Sequence, residues 1–199
     1  SMPASLLSIG RGTFSDCTKL KSVAIPPSVE SIGKWAFSGC TSFESVTFPI
    51  NITDLGTGVF SRCTNLKAVI LSDGTISIGR DVFHGCTSLE SITIPDNVTS
   101  IGKSAFENCT NLERVIIGES VVSIGYRAFY KCIGLKRLTI PDKVTSIGFQ
   151  SFRDCTSLEQ AIIGGSVKSI APYTFQYCIR LESIIISNSV RSIGWNAFY

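Results

Sequence analysis

Apolar side chains return along this chain with a period of 23 residues. In the stretch from Leu89, Ile92 and Ile94 alternate with Ser91 and Thr93, the two-residue rhythm of a strand with one buried face. The same alternation recurs as Val23/Ile25, Val46/Phe48, Val69/Leu71, Val115/Ile117, Leu138/Ile140, Ala161/Ile163 and Ile184/Ile186. Pro95 then ends the strand, since proline brings no N–H to a ladder, and Pro26, Pro49 and Pro141 hold the same column. A second short extended piece runs from Val98 to Ile101 and closes on Gly102. That column is glycine at 10, 33, 56, 79, 102, 125, 148 and 194, with Ala171 the one departure, so the backbone there needs either positive φ or a close approach. Ala105, Phe106, Cys109 and Leu112 follow at i, i+1, i+4 and i+7, the apolar face of a short helical turn.

A period this strict, unbroken by any insertion, means one unit stacked on copies of itself. Each unit turns about seven apolar side chains inward, more than it can bury alone, and strands in register on successive rungs must pair in parallel. The expected fold is an α/β repeat solenoid. Parallel strands line one face, and short helical turns or extended segments form the return side. It is read as a single unit over residues 1–199, about eight copies long, and as part of a longer array. The opening Ser1-Met2 reads as an expression remnant.

The repeat L-x-x-V-x-I-P-x-x-V-x-x-I-G-x-x-A-F-x-x-C-x-x-L, nearly complete in segments 89–112 and 135–158, is similar to the BspA-like leucine-rich repeats. The resemblance covers the whole chain. It implies a leucine-rich solenoid of the kind found in surface and secreted proteins of anaerobic bacteria and protists, several of them thought to be adhesins for host matrix proteins. One column departs from the common leucine-rich repeat. Where an asparagine ladder is usual, this chain has Ser28, Asn51, Gly74, Asn97, Ser120, Lys143, Ser166 and Ser189.

Composition excludes more than it adds. Net charge is +3, too small to argue for nucleic acid. No apolar run approaches the ~18 residues a membrane span needs. Eight cysteines at 17, 40, 63, 86, 109, 132, 155 and 178 occupy one column. They read as free, buried thiols, because parallel Cβ vectors on stacked rungs do not suit a disulfide. No zinc motif, phosphate loop or other cofactor site is present, and the carboxylates do not converge. The only histidine, His84, lies near Cys86, but the cysteine column faces the core, so a Cys/His nucleophile is not expected and neither is an enzyme. Sequons at Asn51, Asn97 and Asn108 follow from the repeat itself.

Function must therefore use the variable columns. Two of them line the strand face: Ser22, Ser45, Ala68, Ser91, Arg114, Arg137, Gln160, Ser183, and Ala24, Thr47, Ile70, Thr93, Ile116, Thr139, Ile162, Ile185. The first half is small and hydroxylic. The second turns to long polar side chains beside apolar ones, the mixture that interaction hot spots use. Arg114, Ile116, Arg137, Thr139, Gln160 and Ile162 are thus the candidate protein-binding residues. A charge column beside them (Lys21, Glu44, Lys67, Glu90, Glu113, Lys136, Glu159, Glu182) reads as a ladder of solvated pairs. On the return side basic residues give way to Tyr126, Phe149 and Trp195, with Tyr130, Tyr173, Tyr177 and Tyr199 nearby. The expected function is a non-enzymatic interaction module at the cell surface or secreted, an adhesin-type domain with a protein partner. The alternatives are a structural spacer and an intracellular scaffold.

Overall fold

The computed structural model describes residues 2–199. It forms a parallel β-solenoid of about eight turns. Every pairing is parallel with a register of 23, as in Ile92↔Val115 and Ile101↔Ile124. One ladder contains Ser45–Thr47, Ala68–Ile70, Ser91–Thr93, Arg114–Ile116, Arg137–Ile140, Gln160–Ile163 and Ser183–Ile186. Its last five strands form one sheet. The second ladder consists of two-residue strands such as Ser100–Ile101 and Ser123–Ile124.

The inward columns are those the alternation marks. Leu89, Ile92, Ile94, Val98, Ile101, Ala105, Phe106 and Cys109 are all buried, and their counterparts on neighbouring rungs build one continuous core. The phenylalanines form a single aromatic column from Phe14 to Phe198. Successive rings lie within 6.0 Å of each other and close to parallel; Phe106 and Phe129 are 5.0 Å apart at 7°. Such offset stacks gain about 0.5–1.5 kcal/mol per pair beyond their burial.

The return side corrects the expected helical turn and the α/β class with it: no helix occurs among the described residues. The reason lies in two columns of left-handed backbone. Ser104 (φ 54°) and Asn108 (φ 61°) flank Phe106, and the same pair of positions is left-handed in the other rungs, filled by glycine only at Gly12, Gly39, Gly58 and Gly85. A helix would send every N–H back along its own turn. Here alternate amides do so: Glu107 N–H donates to Ser104 C=O and Cys109 N–H to Phe106 C=O. The others cross to the next rung. Ser104 N–H donates to Tyr126 C=O, Phe106 N–H to Ala128 C=O and Asn108 N–H to Tyr130 C=O, at 2.7–2.8 Å. The return side is therefore a third ladder, built without extended strands. An apolar spacing of i, i+1, i+4, i+7 does not distinguish it from a helix, because both turn every third or fourth side chain inward.

At six of its eight positions the glycine column answers to close approach, and at none to positive φ. A Cβ on Gly102 would fall 2.6 Å from the Gly79 carbonyl carbon, and one on Gly125 equally close to Gly102. The column that lacks a full asparagine ladder keeps part of its bonding. Asn51 Nδ2 donates to Pro27 C=O at 2.7 Å, Asn97 Nδ2 donates to Asp73 C=O, and Ser28 and Ser189 hydroxyls donate to Leu6 and Val167 carbonyls at 2.7 Å.

Candidate interaction surface

The six candidate residues lie on the outer face of the five-stranded sheet. Arg114, Arg137 and Gln160 sit side by side in register on consecutive strands, and Thr139 pairs with Ile162. All six point away from the core; Ile116 is 43% and Ile162 42% exposed, high for isoleucine on a sheet. Ile70 and Ile185 extend the same apolar column toward the ends. A shallow groove of about 560 Å³ crosses the face, lined by Glu113, Arg114, Val115, Lys136, Arg137, Thr139 and Glu159.

The charge column beside it is not a continuous ladder. Lys136 Nζ meets Glu113 Oε2 at 2.7 Å, an exposed pair worth at most about 1 kcal/mol. It is the only pair of that column to close among the described residues. Arg114 and Arg137 join no ion pair. Two neighbouring guanidiniums on strands ~4.8 Å apart thus keep their donors for an incoming group.

The cysteines form a bonded column of their own. Each thiol from Cys40 to Cys178 donates to the carbonyl of the phenylalanine 26 residues earlier, at 3.1–3.3 Å; Cys109 donates to Phe83. All eight are free. Seven are buried, as expected. Cys17, on the first described rung, is exposed. Burial pushes Cys40 up to about 11 and Cys63, Cys109 and Cys178 up to about 12. Cys86 donates to Phe60 C=O, and burial raises it well above its ordinary value, so it does not pair with His84 and is a poor nucleophile.

The return side of the C-terminal half is a row of mutually packed aromatics and cations. Tyr126 stacks on Phe149 at 5.9 Å; Phe149 meets Tyr173 edge-on, and Tyr173 meets Trp195 at 4.4 Å. Cations cover the rings. Lys103 lies over Tyr126, Arg127 over Tyr126 and Tyr130, and Arg153 within 6.0 Å of Tyr130, Tyr173 and Tyr177. The aromatics and cations pack against one another over the core, while Trp195 and Tyr199 at the C-terminal end stay exposed. No helix of the described residues is long and apolar enough to cross a membrane.

A parallel solenoid with an inward Leu-x-x-Val-x-Ile strand on each rung defines a leucine-rich repeat protein. The chain belongs to the BspA type leucine rich repeat family, whose pattern it matches in six copies over residues 1–113 and 76–199. Its fold is similar to that of a leucine-rich repeat protein from Bacteroides ovatus, 28% identical over 100% of this chain and 69% of that one, with a TM-score of 0.60. It is also similar to a leucine rich cell surface protein from Faecalibacterium prausnitzii, 29% identical over 97% of this chain, with a TM-score of 0.71. The chain spans 62% of that protein's length. A third likeness is to a leucine-rich repeat protein of T. pallidum, 25% identical over 95% of this chain and 67% of that one, with a TM-score of 0.53. No curated protein matches the chain. Repeats of this family generally mediate protein interactions and are typically non-enzymatic.

Proposed function

We propose that this chain is a non-enzymatic, adhesin-type interaction module that binds a protein partner through the strand face of its C-terminal half. The observation that carries the reading is the pair Arg114 and Arg137. They are adjacent in register, outside any ion pair, and flanked by the exposed Ile116 and Ile162. Thr139 and Gln160 complete the patch with hydrogen-bonding groups on the same strands. Guanidinium forks beside apolar anchors are over-represented where interfaces concentrate their affinity. Display at the cell surface or secretion is supported by the likeness to a leucine rich cell surface protein. The unit described is taken as part of a longer array.

The test uses immobilised fibronectin, fibrinogen, laminin and collagen. Wild type should bind at least one of them, and Arg114→Ala/Arg137→Ala should bind it at least ~10-fold more weakly at an unchanged melting temperature. Equal binding by both proteins removes the strand face. Absence of binding by wild type removes the matrix-adhesin reading and favours a spacer.

A further inference from the structure

On the return side, rungs two to four differ from the C-terminal rungs. In three neighbouring columns five of the nine positions there are glycine or serine (Ser38, Gly39, Gly58, Ser61, Gly85), where the C-terminal rungs carry the mutually packed Arg127, Tyr130, Arg153 and Tyr173. The absent bulk leaves a recess of about 380 Å³, lined by Trp35, Ser38, Ser61, Arg62, Asp81 and His84. This lies within the range of small-molecule sites, which starts at about 300 Å³.

Trp35 forms its apolar wall. The indole lies against Gly58, where a Cβ would fall 2.1 Å from Cε3 and Cζ3, so the glycine makes room for the ring. Every tyrosine on the return side, with Phe149 and Trp195, has another ring or a cation over it. Trp35 has neither among the described residues, although it is only half-buried. The polar rim carries both signs of charge. Asp81 accepts from Arg80 Nε at 2.9 Å through one oxygen, which leaves its other oxygen as an acceptor. Arg62 is exposed and joins no ion pair, so its forked donors are open. Ser38 spends its proton on the Ser61 carbonyl at 3.2 Å and keeps its lone pairs.

We propose that this recess is a carbohydrate site that takes one pyranose ring, with the apolar C–H face of the sugar on Trp35 and its hydroxyls shared between Asp81 and Arg62. A pyranose is flat and apolar on one face and carries donors and acceptors around its edge, which is the distribution the recess presents. A peptide side chain would need a deeper apolar hole than one indole supplies. A phosphate would meet the Asp81 carboxylate.

The experiment is ligand-observed saturation-transfer NMR on the whole chain. The probes are glucose, galactose, mannose and N-acetylglucosamine, their methyl glycosides, and adenine as a planar ring that carries no sugar. At least one of the four pyranoses should take up saturation. Trp35→Gly should abolish the signal, and Asp81→Asn should weaken binding at least ~10-fold. Both substitutions place at the site a residue that the same column already uses, Gly12 and Gly58 for the first and Asn196 for the second, so both variants should fold. Tyr126→Ala should leave the signal intact. Uptake by methyl glycosides as well as free sugars assigns the end of a glycan chain, and uptake by free sugars alone assigns a free monosaccharide; either supports the site. No uptake by any pyranose, uptake by adenine alone, or a sugar signal that survives Trp35→Gly would overturn it.

Discussion

At the scale of single residues the cysteine column sets a pH limit on the fold. The thiols are neutral in the folded state and donate S–H bonds across rungs, with Cys63, Cys109 and Cys178 raised to about 12 by burial. An unfolded thiol ionises near ~8.5. Below that pH both states hold their protons and the column costs nothing. Above it the unfolded chain releases protons that the folded chain keeps, so stability falls as pH rises toward 11–12. Urea midpoints should be flat from neutral pH to about 8.5 and then decline. Cys109→Ala should soften the decline at some cost in packing at neutral pH. A midpoint unchanged at pH 10.5 would mean that the thiols ionise in place. The freedom of the thiols was legible in the sequence, because a constant column cannot present the S–S geometry. The exposure of Cys17 was not, because burial of a rung depends on the rung before it.

At the scale of elements the strands were readable and the return segment was not. Alternation at Ile92 and Ile94 and the proline stop at Pro95 each have one physical meaning and stand where the repeat placed them, whereas the glycine at 102 had two, and the structure selects close approach. The return segment carries an apolar spacing common to two backbones. What separates them is the left-handed pair at columns 104 and 108, and that pair is written in arginine, lysine, aspartate, tyrosine and tryptophan more often than in glycine. Left-handed backbone costs a residue with a Cβ about 1–2 kcal/mol, which the cross-rung hydrogen bonds offset. Asn108→Gly should therefore be neutral or stabilising by up to ~1 kcal/mol. Asn108→Val should cost about 1–2 kcal/mol or more, because a β-branched side chain tolerates that backbone worst. Thermal melts of the two variants decide it; equal stability would mean that the segment shifts to a right-handed turn without penalty. The same blind spot hid the Trp35 recess. Trp35 was passed over in the sequence, because its meaning depends on glycine and serine one rung away, and only the ladder brings them together.

At the scale of the whole molecule each rung has only two neighbours, so stability should depend on position along the stack. Phe106 is fully buried between Phe83 and Phe129, with ring distances of 5.3 and 5.0 Å. Phe198 stacks on Phe175 alone and is 40% exposed. Phe106→Ala leaves a cavity and should cost ~3–5 kcal/mol, whereas Phe198→Ala should cost less than half as much. The consequence for cooperativity is sharper. A weak interface in the middle of a one-dimensional array lets the two halves unfold separately, and each half exposes less surface than the whole. Urea melts of Phe106→Ala should then show a smaller dependence on denaturant as well as a lower midpoint. Those of Phe198→Ala should keep the wild-type slope, because loss at an end only shortens the unit that unfolds together. If Phe106→Ala lowers the midpoint with the slope unchanged, the hydrogen-bond ladders, and not the phenylalanine column, couple the rungs. The Arg114 and Trp35 surfaces lie on either side of that central interface, so the same melts would show whether the two faces share one cooperative unit.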